Sequence, residues 1–107
     1  MSVVDFLKKV SKDKIKFTKH SKERLKERGL SEAYLRKILF RFEKLKIESK
    51  QDDTYVLIYE ISRRYNLVIF LAIDKEVRVI SAFKTSKKIQ KLIKRFGGYY
   101  MIKKYKF

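Results

Sequence analysis

His20 is the only histidine in the chain, and Arg24 and Arg28 follow it at intervals of four residues. If Thr18 caps a helix that Gly29 ends, the three side chains lie along one face, with Glu27 beside them. Imidazole is the side chain that changes protonation near neutral pH, so it serves as a general base or acid. Guanidinium groups hold phosphate through paired N–H donors. Together these groups match what cutting RNA without a metal demands: a base for the 2′-hydroxyl proton, cations for the charge on the phosphorane, and an acid for the departing 5′-oxygen. The same residues also fit an ordinary solvated face, on which Glu23 and Glu27 pair with nearby Lys and Arg at i,i+4 spacing. Leu25 is the one large aliphatic side chain this helix has to bury, so a polar stripe this broad calls for a reason.

The elements that position the stripe follow from periodicity. Val3, Leu7 and Val10, with Phe6 alongside, predict a short amphipathic first helix interrupted at 11–14. After the His20 helix, Gly29 and Leu30 form a turn and Ser31 caps a structural helix whose apolar stripe is Leu35, Ile38, Leu39 and Phe42, supported by Tyr34. From Lys44 the period becomes two, and Leu45, Ile47 and Ser49 read as a half-exposed edge strand. Residues 54–62, 67–73 and 77–84 predict three more strands, the second apolar on both faces and so mid-sheet. Their short connections require antiparallel neighbours, which gives an α+β fold: helices on one face of a four-stranded meander. Thr85 or Ser86 then caps a basic helix to 96, with Ile89, Leu92, Ile93 and Phe96 inward and Lys87, Lys88, Lys91, Lys94 and Arg95 outward; Gly97 and Gly98 stop it. The tail 97–107 interleaves aromatic and basic residues. Tyr99 and Tyr100 can stack nucleobases there, or the tail can form a further edge strand or a dimer contact.

Composition narrows the partners. At 107 residues the chain fits a single domain, and its 45% hydrophobic content rules out a disordered tail despite a net charge of +17. The charge is uneven: nineteen basic and twelve acidic residues occupy the first 76 positions, whereas ten basic residues and no acid follow Glu76. Such a field draws polyanions, with nucleic acid, an acidic protein and an anionic membrane as the candidates. The absence of cysteine excludes disulfides and thiolate zinc sites, and a single histidine leaves no metal centre or cofactor expected. Asp74 and Glu76 are the nearest thing to the carboxylate cluster of a metal-dependent nuclease, and they flank what reads as an ordinary tight turn. The first apolar run is too short for a signal peptide and 67–73 is too short for a membrane span, so a soluble cytoplasmic protein with no membrane partner is expected.

The run His20, Arg24, Arg28-Gly29-Leu30-Ser31, followed by an amphipathic helix, a meander and a strand ending in Thr85, resembles a family of small uncharacterised domains. That family carries an H-x-x-x-R-x-x-x-R-G-[IL]-[ST] helix and a polar residue at the end of its last strand. It sits with the barnase/EndoU/colicin/RelE group of metal-independent ribonucleases, many of them toxins restrained by acidic partner proteins. The likeness covers roughly residues 15–85 and leaves the first helix, the basic helix 86–96 and the tail outside. It implies a RelE-like endoribonuclease, in which His20 and Arg24 form the site with Arg28 beside them, Lys84 and Thr85 reach it from the fourth strand, and Ser81 is the alternative strand residue. It also implies RNA as substrate and an acidic antitoxin as partner. A non-catalytic RNA- or DNA-binding protein, using the same basic helix and aromatic tail, is the rival expectation; a module that binds only an acidic protein is a third.

Overall fold

In chain order the elements are α1 (Val3–Leu7), β1 (Ile15–Phe17), α2 (Lys19–Glu27), α3 (Glu32–Leu39), a 3-10 turn (Phe42–Lys44), β2 (Leu45–Gln51), β3 (Thr54–Glu60), β4 (Asn66–Ile73), β5 (Val77–Thr85) and β6 (Tyr99–Ile102). The computed structural model describes residues 3–11, 14–51, 53–88, 91, 92, 94 and 99–102, with 51 and 99–102 described by their backbone alone. From β2 to β5 each strand lies antiparallel to the next, because the two to five residues between them are too few for a crossover.

The fold is α+β, and its sheet is larger than the four antiparallel strands expected. It is six-stranded and mixed, in the order β1-β5-β4-β3-β2-β6. β1 runs parallel to β5, with Ile15 opposite Val77 and Phe17 opposite Val79. A parallel pair needs a long connection, and the two helices and three strands between β1 and β5 supply it. At the other edge the backbone of β6 pairs antiparallel with β2, Ile47 opposite Ile102. β2 is therefore an interior strand rather than the half-exposed edge strand its alternation suggests. Leu45, Ile47 and Ser49 are all buried.

Both faces of the sheet are covered. On one, Val3, Val4 and Leu7 of α1, Leu25 of α2 and Leu35, Ile38 and Leu39 of α3 pack against the inward residues of the strands, among them Leu57, Tyr59, Leu67 and Ile69. The Tyr59 hydroxyl satisfies itself there by donating to the Leu39 carbonyl at 2.8 Å. On the other face Ile47, Val56, Ile58 and Val68 cluster with Phe70, Phe83 and Leu92. This second layer explains why 67–73 is apolar throughout. Lys91, Leu92 and Lys94 are helical, while Ile89, Ile93, Arg95 and Phe96 of the expected basic helix lie outside the described residues. The radius of gyration, 12.8 Å, is that of a compact body of this length, about 13 Å for 100 residues. No helix among the described residues is long and apolar enough to cross a membrane.

Candidate functional site

Local chemistry fixes both ends of α2. The Thr18 hydroxyl accepts from the Ser21 N–H at 3.0 Å, which caps the first turn. At the far end Gly29 adopts φ 69°, a left-handed value that glycine takes without strain. There the Leu30 N–H donates to the Leu25 carbonyl and the Gly29 N–H to the Lys26 carbonyl, the paired bonds of a Schellman stop. Between the caps, Ser21 and Leu25, four residues apart, are the two buried positions. His20, Arg24 and Arg28 are consequently left exposed.

The stripe is ordered by its own contacts. Arg24 Nε donates to His20 Nε2 at 2.7 Å, so that ring nitrogen presents its lone pair and a neutral ring carries its proton on Nδ1. One turn on, Arg28 Nη1 donates to Ser81 Oγ and to the Ala82 carbonyl, both at 2.9 Å. The sheet explains why Arg28 finds acceptors there. β1 covers β5 only as far as Val79, so among the described residues the outer edge of β5 beyond that point has no neighbouring strand. Arg28 satisfies one of the carbonyls left open. A bulge lies at the same place: Leu71 faces Val79 and Phe70 faces Ser81, which leaves Ile80 unpaired and re-aims the residues after it. No ion pair to Glu23 or Glu27 forms among the described residues; the acid that pairs near α2 is Glu32, with Lys22 at 3.7 Å and Arg36 at 3.5 Å. The i,i+4 acid–base lattice of an ordinary solvated helix face is thus missing from the stripe.

The strand residues expected to join the stripe make their contacts elsewhere. Lys84 Nζ lies 4.2 Å from the centre of the Tyr65 ring. Thr85 Oγ1 accepts from the Lys87 N–H at 3.1 Å, and Asn66 Nδ2 holds the Lys87 carbonyl at 2.9 Å. Of the strand candidates, Ser81 is the one in contact with the stripe. Lys87, Lys88, Lys91 and Lys94 are exposed, while Arg95 and the side chains of Tyr99 and Tyr100 lie outside the described residues.

The carboxylates play local parts. Asp74 accepts from the Glu76 N–H at 3.1 Å and from Arg78 Nη2 at 3.0 Å, and these contacts hold its carboxyl below the ordinary aspartate range, the Glu76 N–H contributing most. The hydrogen bond from Arg41 likewise lowers Glu43. Among the described residues no group of three or more His, Cys, Asp and Glu side chains could hold a metal ion. One feature escaped the sequence: Tyr34, grouped by periodicity with the apolar stripe of α3, lines a surface hollow with Lys37 and Arg41. The i, i+3, i+7 spacing of these three residues is the signal that could have revealed it.

No family model, no curated protein and no solved structure matches the chain.

Proposed function

We propose that the chain is a metal-independent endoribonuclease of RelE-like type, acting in the cytoplasm on RNA and restrained by an acidic antitoxin drawn to its positive surface. The observation that carries this is the exposed Arg24–His20 hydrogen bond, one helical turn from the Arg28 bridge to Ser81. It sets an imidazole, two guanidinium groups and a strand hydroxyl on one open face. The antiparallel run β2 to β5 fits the meander of such enzymes, and helical Lys91, Leu92 and Lys94 fit a basic closing element.

Each group then has a task. A phosphate oxygen takes over the Arg24 Nε–H, which frees the Nε2 lone pair of His20 for the 2′-hydroxyl proton. The 2′-oxygen bonds to phosphorus, the bond from phosphorus to the 5′-oxygen breaks, and the leaving oxygen takes a proton from solvent water, while the His20 imidazolium returns its proton to solvent. Arg28 keeps Nε and Nη2 for the phosphorane while Nη1 stays on the strand. Incubation of an RNA oligonucleotide with the protein in EDTA tests this: products should carry 2′,3′-cyclic phosphate and 5′-hydroxyl ends, and the 2′-deoxy oligonucleotide should remain whole. RNA left intact across substrates and pH overturns the proposal.

A second reading, a non-catalytic nucleic-acid binder, draws on the contacts that take Lys84 to Tyr65 and Thr85 to Lys87, away from the stripe. It predicts RNA binding that weakens steeply with salt and no cleavage at all.

A further inference from the structure

The sheet register brings a second group of cations to one end of the molecule. Leu45, Tyr59, Leu67 and Lys84 form one row across four strands, so Lys44, the 61–65 turn and residues 85–88 all lie at the same sheet end. There α3, the 3-10 turn and the 61–65 turn enclose a hollow of about 230 Å³ lined by Tyr34, Lys37, Ile38, Arg41, Lys44 and Ile61. It is smaller than the roughly 300–1,000 Å³ of drug-sized sites, and so suits a single ring system. Its floor is aliphatic and its rim cationic. Arg41 gives its Nε–H to Glu43, so one of the lining cations is paired with an acid. Arg63 and Arg64 follow in the turn, with Lys84, Lys87 and Lys88 beyond; Glu60 is the other acid here.

A basic sheet end is most often just solvated surface. The aromatic residues distinguish this one. Three large hydrophobic side chains are exposed among the described residues: Tyr34 at 36%, Tyr65 at 38% and Ile80 at 37%. Both tyrosines belong to this end, Tyr34 beside the hollow and Tyr65 under the Lys84 ammonium. Exposed rings set among cations are what single-stranded nucleic acid needs, because every base has a face to stack and every phosphate a charge to neutralise. An acidic peptide would use the cations and ignore the rings.

We propose that this sheet end is a track for single-stranded RNA, with one base seated on Tyr34 in the hollow, another on Tyr65, and the backbone held by Lys37, Lys44 and Lys84. The track rests on RNA being the partner and adds where the strand lies. The test is fluorescence anisotropy with a labelled oligouridylate of about twelve nucleotides, within the usual range of single-strand site sizes. Tyr34→Ala and Tyr65→Ala should each weaken binding by about five- to a hundredfold. Tyr34→Phe, which keeps the ring, should bind like the wild type. An RNA duplex, whose bases are already stacked, should show no loss with Tyr34→Ala. Wild-type affinity in both tyrosine-to-alanine variants overturns the track and leaves the ribonuclease proposal standing if cleavage depends on His20. Tyrosine-dependent binding without cleavage keeps the track and sinks the ribonuclease. Parallel loss of poly-glutamate binding in Tyr34→Ala overturns the track in favour of an acidic protein.

Discussion

α2 and α3 have nearly the same length, nine and eight residues, and each begins on a hydroxyl cap, Thr18 for one and Ser31 for the other. They differ in what they bury. α3 puts Leu35, Ile38 and Leu39 under the sheet, whereas α2 buries Leu25 and the small Ser21. A buried leucine contributes about 1.5–3 kcal/mol, so α3 is held mainly by apolar area removed from water. α2 has one such anchor and is otherwise fastened by its caps and by the Arg28 bonds to β5. Apolar burial therefore contributes less to α2 than to α3.

Substitutions on the two helices can break or sharpen this contrast. The largest effect should come from the apolar anchors: Leu25→Ala and Leu39→Ala should each lower unfolding free energy by about 2–5 kcal/mol in urea titrations. A cost under about 1 kcal/mol at Leu25 would mean that α2 is not seated on the core as described. Next, Arg28→Met removes both bonds to β5 and reopens the Ala82 carbonyl; the expected loss is about 1 kcal/mol, reduced by the exposure of the side chain. Thr18→Ala and Ser31→Ala should each cost an amount of the same order, typically about 1 kcal/mol, measured by thermal melts. A much larger effect at Thr18 than at Ser31 would confirm that α2 depends more on its ends.

The smallest effect concerns pH. The Glu76 N–H, followed by Arg78, holds the Asp74 carboxyl below the ordinary aspartate range, so the folded chain binds this proton more weakly than the unfolded chain. The stabilisation is therefore complete above the unfolded value of about 4 and fades as pH falls through the lower folded value. Asp74→Asn should lower stability slightly across the neutral region and leave the most acid end, where Asp74 is protonated in both states, almost unchanged, so that the acid limb of a stability-versus-pH curve flattens.

What could be read from the sequence was local. Thr18, Gly29 and Ser31 announce their caps because capping is decided within a few residues, and Leu35, Ile38 and Leu39 announce α3 because burial follows the helical period. β1 escaped because three residues carry no period, and its partner in β5 lies some 60 positions away. β2 reads as an edge for the same reason: its second neighbour, β6, is far along the chain. In the site, the spacing of His20, Arg24 and Arg28 was legible, but the strand residue opposite them was not. Whether Ser81, Lys84 or Thr85 faces α2 depends on the bulge at Ile80 and on where β1 stops covering β5, both non-local facts.

The central claim is that the polar face of α2 cuts a phosphodiester. It is met most directly by the rate of RNA cleavage in EDTA for the wild type beside His20→Ala, an exposed substitution expected to shift stability by no more than about 0.5 kcal/mol. The account predicts a metal-free rate that falls by about 10²–10⁴-fold in the variant while its melting temperature holds. Equal rates in the two proteins, or no cleavage by either, would contradict it.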